Sequence, residues 1–595
     1  MNKKYYIAAA LALGCTFSAC DDLMEPAKEN LNEFSSLYGT VNQAAHVLGN
    51  AYMKLQYPDY KNPDIQTDYA TDDAVTNDDA NSFRKMTESG YWKSNNSPVN
   101  PWTDCYYTIQ TLNIFLENVD KVNWSEDPVY AEMIRDHMKG EALALRGIYH
   151  YFLLQVYAGK VNGTLMGVPI HTASESGSSD FNQPRNTFEE CYKQIMADFD
   201  EALELLPEVY VDLKSDAEVP AKYKSKGATS YDYNRAQGAN WSGKVDGRII
   251  KTFKSFVSLM AASPAYEYES WDNAAKYAGE IVKSLGGLSA LTANSIAWFN
   301  DRAYIEAQAA KTIPDVAIWW GGREDTNDPE KNYFPPSQYG KARCNPTQNL
   351  VDAFPMENGY PITESASHYD AANPYAKRDP RLLKYILVNE GTLASASKPI
   401  ITGDYDTDTK TMIDGIEYEN GKSTRTGYYM KKLLREDVIA GGSSPSKQQH
   451  LMPRIRTMEV FLAYAEAMNE AQGPTGGSPS AYDVIKKIRE YAGITEGDKY
   501  LESIKTDKEK MRQMIRNERR INLCFENKRF WDLRRWNVNL NETARGVKIT
   551  KDGSKLKYEY IDVETRNFQD YQIYCPLPYG EIAKFPALQQ NDGWQ

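Results

Sequence analysis

The chain predicts a mainly α fold, a tetratricopeptide-like scaffold of helix pairs that carries an irregular, loop-rich face. Two observations predict it. Apolar residues recur at helical spacing in six separated segments. Between residues 286 and 450 that periodicity fades, and Gly, Pro, Asn, Asp and Tyr take over.

The first helical set is Leu145, Ile148, Tyr149, Phe152 and Val156, with Glu141 and Arg146 on the same segment. The second runs from Phe188 through Tyr192, Ile195 and Phe199 to Leu206, and Pro207 stops it. Residues 248–262 and 271–281 form the next pair, and residues 458–468 and 482–491 the last. Ala463, Ala465 and Ala467 stand at close-packing positions, and small residues beside aromatic knobs suggest tetratricopeptide-like units. A long irregular segment in a compact protein is either functional or disordered, and residues 286–450 are too aromatic for disorder. Residues 57–107 read as a second irregular stretch.

Residues 516–536 read as one amphipathic helix dense in paired charges. Glu526 lies three before Arg529 and Asp532 three before Arg535, so opposite charges stack on one face. Several Arg beside the acids make this a structural ion-pair net and not an acid/base site. The run resembles the C-terminal signature of the SusD/RagB family, E-R-x-x-E-L-x-F-E-G-x-R-x-x-D-L-x-R-W. Glu518, Arg519, Leu523, Phe525, Glu526, Arg529, Asp532, Leu533, Arg535 and Trp536 match it; Asn522 replaces the second Glu and Asn527 the Gly. Residues 140–152 resemble the family's G-E-A-x-x-L-R-A-x-Y-Y-F segment, Gly167-Val168-Pro169-Ile170 its G-V-P-L turn, and residues 456–467 its R-x-A-E-x-x-L-x-x-A-E-A helix. Near the end, Gln590-Asn591-Asp592-Gly593-Trp594 resembles Q-N-P-G-Y, with Asp592 and Trp594 departing from it.

That resemblance implies a SusD-like fold with a loop-rich ligand-binding face, non-catalytic capture of glycan at the outer face of the outer membrane, and a SusC-like TonB-dependent transporter as partner. A peptide-cargo RagB-like module is the alternative, and a two-carboxylate helical glycoside hydrolase a more distant one.

The N-terminus fits this setting. Lys3 and Lys4 precede an apolar core, Ile7–Gly14, too short to span a bilayer. Phe17-Ser18-Ala19-Cys20 looks like a lipobox, so residues 1–19 read as a signal peptide and Cys20 as the lipidated residue that anchors the chain to the membrane. Asp21, Asp22 and Glu25 resemble the surface-export signal of Bacteroidetes lipoproteins. The mature chain reads as residues 20–285 and 286–595 in one compact unit. A formal charge of −13 without a basic stripe argues against nucleic acid. Scattered cysteines and six dispersed histidines offer no metal motif. Thus no cofactor is expected; calcium at Asp72, Asp73, Asp78 and Asp79 lacks an EF-hand spacing, and these acids read as a solvated loop.

Sugars present an apolar C–H face to an aromatic ring and hydroxyls to polar side chains. Candidate ligand residues are therefore loop aromatics with polar neighbours: Trp92 with Asn95 and Arg84, and Trp319 and Trp320 before Gly321-Gly322-Arg323, with Tyr333, Tyr339 and Arg343 following. In an extended segment Trp319 and Trp320 point to opposite sides, one buried and one exposed.

Overall fold

The computed structural model describes residues 38–594, apart from 58–60, 309–312, 406–411, 417, 419–420 and 495–496. Cys20 and the acids after it lie outside the described residues.

Helix α1 (Trp102–Asn118) leads to α2 (Pro128–Tyr157), which Asp127 starts: its carboxylate accepts from the Val129 and Tyr130 amides at 2.8 and 3.0 Å. Pro128 follows, where a missing N–H costs nothing. Helix α3 (Phe188–Leu205) opens on a reciprocal Thr187–Glu190 capping box. The two helices lie against each other because α2 offers glycine: a Cβ at Gly147 would come within 2.7 Å of the Phe199 ring, and one at Gly140 within 2.7 Å of Leu206. Helices α4 (Gly247–Ala262) and α5 (Trp271–Ser284), capped by Asp246 and Ser270, form the second pair. After the loop-rich segment the chain returns to the same stack. Helix α6 (Thr457–Gln472) packs on α5, then on α7 (Ala481–Ala492) and α8 (Lys508–Leu523). The fold is mainly α, as expected.

The loop-rich half is fastened by an antiparallel ribbon, β1 (Ala317–Thr326) with β2 (Gln448–Arg456), interrupted at Trp319, Trp320 and Arg323. A hairpin, β3 (Ala544–Asp552) with β4 (Lys555–Glu564), turns at Gly553, whose φ is +60°. The irregular stretch from residue 57 stops at Trp102; Tyr106 and Tyr107 belong to α1.

Two expectations are corrected. Residues 516–536 are not one helix: α8 ends at Leu523 and α9 (Arg529–Arg535) starts anew, with Phe525 and Asn527 between them at φ of +63° and +59°. The break turns Glu526 away from Arg529 and toward Lys432 and Arg456, both 2.5 Å away. Nor are Asp72 and Asp73 solvated. Both are buried, with Asp72 held by Arg529 at 2.9 and 3.0 Å and by Arg520 at 2.9 Å, and Asp73 by Arg520 at 2.6 Å. Burial works against the charged form of Asp72, but the two guanidiniums override it and hold the carboxyl below its usual range. Asp79 is exposed and Asp78 half-buried beside Arg343.

Candidate functional site

The eight candidate residues do not form one platform. Trp92 is 3% exposed; its indole N–H donates to Ser97 Oγ at 3.0 Å, and its ring packs on Phe530, Phe568 and Trp594. Trp319 is fully buried, donating to the Gly243 carbonyl at 3.1 Å among Tyr52, Tyr57 and Phe253. Tyr333 is buried too, and its hydroxyl accepts from Gln66 at 3.4 Å. Enclosed rings have no face for a sugar, so these three plug loops onto the core. Trp320 is half-buried and also packs against the core, not exposed as the extended reading expects.

Arg84 and Arg343 do come together, on the turn at residues 76–79. Arg84 reaches Glu564 at 3.5 Å and the Thr76 carbonyl at 3.5 Å; Arg343 donates to Asn77 at 3.0 Å and lies 3.6 Å from Asp78. Both therefore tether a loop. Asn95 is exposed, as is Tyr339 (61%), whose ring lies over Gly441 and Gly442, where Cβ atoms would collide with it.

Trp319, packed on Tyr57 and Phe253, and Trp92, beneath Arg534, instead stand behind the lining of a cleft of about 560 Å³ between the helix scaffold, the N-terminal loops and α9. Helix α2 contributes Tyr151 and Gln155, one turn apart; α4 contributes Phe253 and Phe256; Lys528, Trp531 and Arg534, at intervals of three, come from α9 and the residue before it. Tyr57, with Phe152 and Trp319 against its edge, completes an aromatic wall, and Gln56, Asp64, Ile65 and Asn100 are the exposed residues at its rim. Trp531 and Phe256 remain half-exposed.

The carboxylates of the inner wall are all engaged. Glu459 pairs with Lys528 at 2.7 Å, Asp532 with Arg519 at 3.1 Å and Arg535 at 2.7 Å, and Glu526 with Lys432 and Arg456. Burial alone would raise Glu526 and Asp532; their cationic neighbours reverse it and hold both below the ordinary carboxylate range.

A family model described as the SusD family matches residues 315–594, and one described as starch-binding and associating with the outer membrane matches residues 24–225. The chain belongs to the SusD/RagB family. Two SusD-like proteins of Formosa agariphila, P25 and P2, are each 31% identical to it over 166 residues. Those matches take in 28% of this chain and 28% and 30% of the relatives, so the chain spans under a third of their length. A SusD-like protein of Bacteroides fragilis superposes with a TM-score of 0.70 at 20% identity, covering 96% of this chain and all of the other. A SusD-like carbohydrate binding protein of the same species gives 0.67 at 20% identity, over 93% of this chain and all of the other. These share the fold. Among the described residues, no helix of this SusD/RagB chain is long and apolar enough to cross a membrane.

Sequence reasoning missed the cleft. Phe152 and its neighbours carry helical periodicity that reads equally as core, while Lys528, Trp531 and Arg534 fall at positions the SusD/RagB signature leaves open. Those open positions, between the ion-pairing ones, were the available signal.

Proposed function

We propose that this protein captures an oligosaccharide in the cleft and hands it to a SusC-like TonB-dependent outer-membrane transporter, held at the cell surface by lipid on Cys20. The observation that carries the binding role is the cleft itself. Its volume falls in the roughly 300–1,000 Å³ range of small-molecule sites, and half-exposed rings, Trp531 foremost, sit beside convergent polar groups. A sugar's C–H face stacks on such rings while Gln155, Lys528 and Asn100 meet its hydroxyls. Membership of a family with carbohydrate-binding and outer-membrane descriptions supports the same reading.

The charges of the inner wall support capture without hydrolysis. A glycosidase needs one carboxylic acid protonated near neutral pH, whereas Glu526 and Asp532 are pinned ionised by their partners. Affinity electrophoresis of the chain from residue 21 across polysaccharide gels tests the reading. At least one glycan should retard it, without reducing ends being released, and Trp531→Ala should migrate freely. Retardation that survives Trp531→Ala would place binding elsewhere, and release of sugar would make the protein an enzyme.

A further inference from the structure

Arg534 is 2% exposed and lines the cleft, yet among the described residues no carboxylate pairs with it. Its Nη1 donates to the Phe530 carbonyl at 3.2 Å, while Nε and Nη2 meet no acceptor from the protein. Three other arginines close that same edge on a carboxylate. Arg519 uses Nε and Nη2 on Asp532, both at 3.1 Å; Arg529 does so on Asp72 at 2.9 and 3.0 Å, and Arg146 on Asp198 at 3.0 and 2.6 Å. Arg534 is held in place without such a partner: its guanidinium lies 3.5 Å from the centre of the Phe530 ring, with Trp92 at 5.3 Å and Phe568 at 5.2 Å. Stacking fixes the plane and leaves the fork unsatisfied, which is costly for a buried cation. Burial lowers its pKa to about 10, and only the Cys575 thiol and the Tyr266 phenol, another cleft residue, work against that.

Building on the capture reading above, we propose that Arg534 is the anion-reading residue of this cleft, and that the saccharide it takes is acidic, carrying a carboxylate or a sulfate. Either oxyanion presents two oxygens at the spacing of the Nε–Nη2 edge. A neutral sugar's vicinal hydroxyls can meet the same edge but leave the charge uncompensated. The overall charge of −13 does not oppose this, because the carboxylates of the inner wall are each paired with a cation and Asp64 lies out at the rim.

The test is isothermal titration of the chain from residue 21 with uronate-containing and sulfated oligosaccharides, each beside its carboxyl-reduced or desulfated counterpart. At least one acidic member should bind about tenfold or more tightly than its neutralised form, as one charge-assisted bidentate contact provides. The carboxylate and sulfate arms identify which anion is read. Arg534→Gln should bring that ratio close to one with neutral binding kept, and Arg534→Lys should retain part of it. Melting temperatures check that the variants fold, and the wild-type ratio needs no variant at all. Equal binding of acidic and neutralised forms overturns the inference but leaves glycan capture standing. A ratio that persists in folded Arg534→Gln overturns the assignment to this residue, and no binding of any saccharide overturns both readings.

Discussion

Asn527 stands where the SusD/RagB signature has Gly, and its backbone explains the choice. Its φ of +59° is left-handed, a region that Asn tolerates better than other residues with a Cβ. Its side chain then does what Gly cannot: Oδ1 accepts from the Thr67 amide at 2.6 Å and the Thr67 hydroxyl at 3.1 Å. Asn527→Gly should cost about 1–3 kcal/mol through the orphaned donors. Asn527→Ala should cost about 1 kcal/mol more, because it adds backbone strain. Urea unfolding of both variants checks this; equal losses would mean the backbone there is unstrained. The neighbouring Asp68 makes a pH prediction. Its carboxyl is buried, accepts from the Asn527 amide and is pushed up to about 8 by burial, with Asp73 adding to the push. The folded state thus holds a proton that the unfolded chain loses near 3.8, so this stability is complete below pH 4 and is lost as the pH rises through about 8. Asp68→Asn should escape the loss, and its advantage should grow by up to about 1.4 kcal/mol per pH unit between pH 4 and 8. A pH-independent difference would remove Asp68 from the account. Residue environments were poorly legible in sequence even where spacing is short-range. Strand alternation fails at residues 317–319, which are all buried, and Trp92, set among Lys, Ser and Asn, looks solvated because its partners Phe568 and Trp594 come from the far end of the chain.

At the scale of elements, helices were readable because their signals are local. Thr187 with Glu190, Asp246, and Ser480 with Asp483 cap helices whose apolar faces the sequence displays. The break between α8 and α9 was not readable, since neither Gly nor Pro marks it and its driving force is tertiary: Glu526 turns inward to two cations. The cleft escaped for a related reason, as helical periodicity does not distinguish a packed wall from a lined one. What the signature does build is an ion-pair net across elements. Glu518 of α8 accepts from Arg381 at 2.7 and 3.2 Å, from Arg489 of α7 at 2.9 Å and from Asn522 at 3.0 Å, all buried. Burial disfavours its charge, yet Arg381 and Arg489 hold its pKa at about 2. Glu518→Gln leaves two buried guanidiniums short of charge and should cost about 3–5 kcal/mol at neutral pH. The depressed pKa means the stabilisation is present above the unfolded value near 4.5 and is lost as the pH falls through about 2. The gap between wild type and variant in chemical denaturation should therefore close across that window. A gap that stays constant down to pH 2 would show that shape, not charge, is what Glu518 supplies.

Over the whole molecule, the two halves of the chain neutralise each other's buried charges. Arg520 and Arg529 reach back to Asp72 and Asp73, and Arg566 donates to the Thr71 carbonyl at 2.7 Å and the Ala74 carbonyl at 3.1 Å. In return the C-terminal end locks onto the first half. Arg185 donates to Asn591 at 2.8 Å, and Asp592, standing where the family pattern has Pro, accepts from the Asn162 and Gly163 amides at 2.8 and 3.0 Å. The helix stack is shared as well, since α5 from the first half is covered by α6 from the second. Residues 286–595 expressed alone would keep Arg520 and Arg529 without their carboxylates and expose the faces of α6 that α4 and α5 cover. Removing one partner of a buried ion pair costs about 3–5 kcal/mol, comparable with the roughly 5–15 kcal/mol that holds a domain folded. Neither residues 20–285 nor residues 286–595 should therefore melt cooperatively in isolation, and mixing the two from denaturant should restore a single transition. Thermal unfolding followed by circular dichroism decides it: a 286–595 fragment that melts cooperatively within about 2 °C of the full chain, a shift worth only about 1–2 kcal/mol, would mean that the charges exchanged between the halves are incidental to the fold.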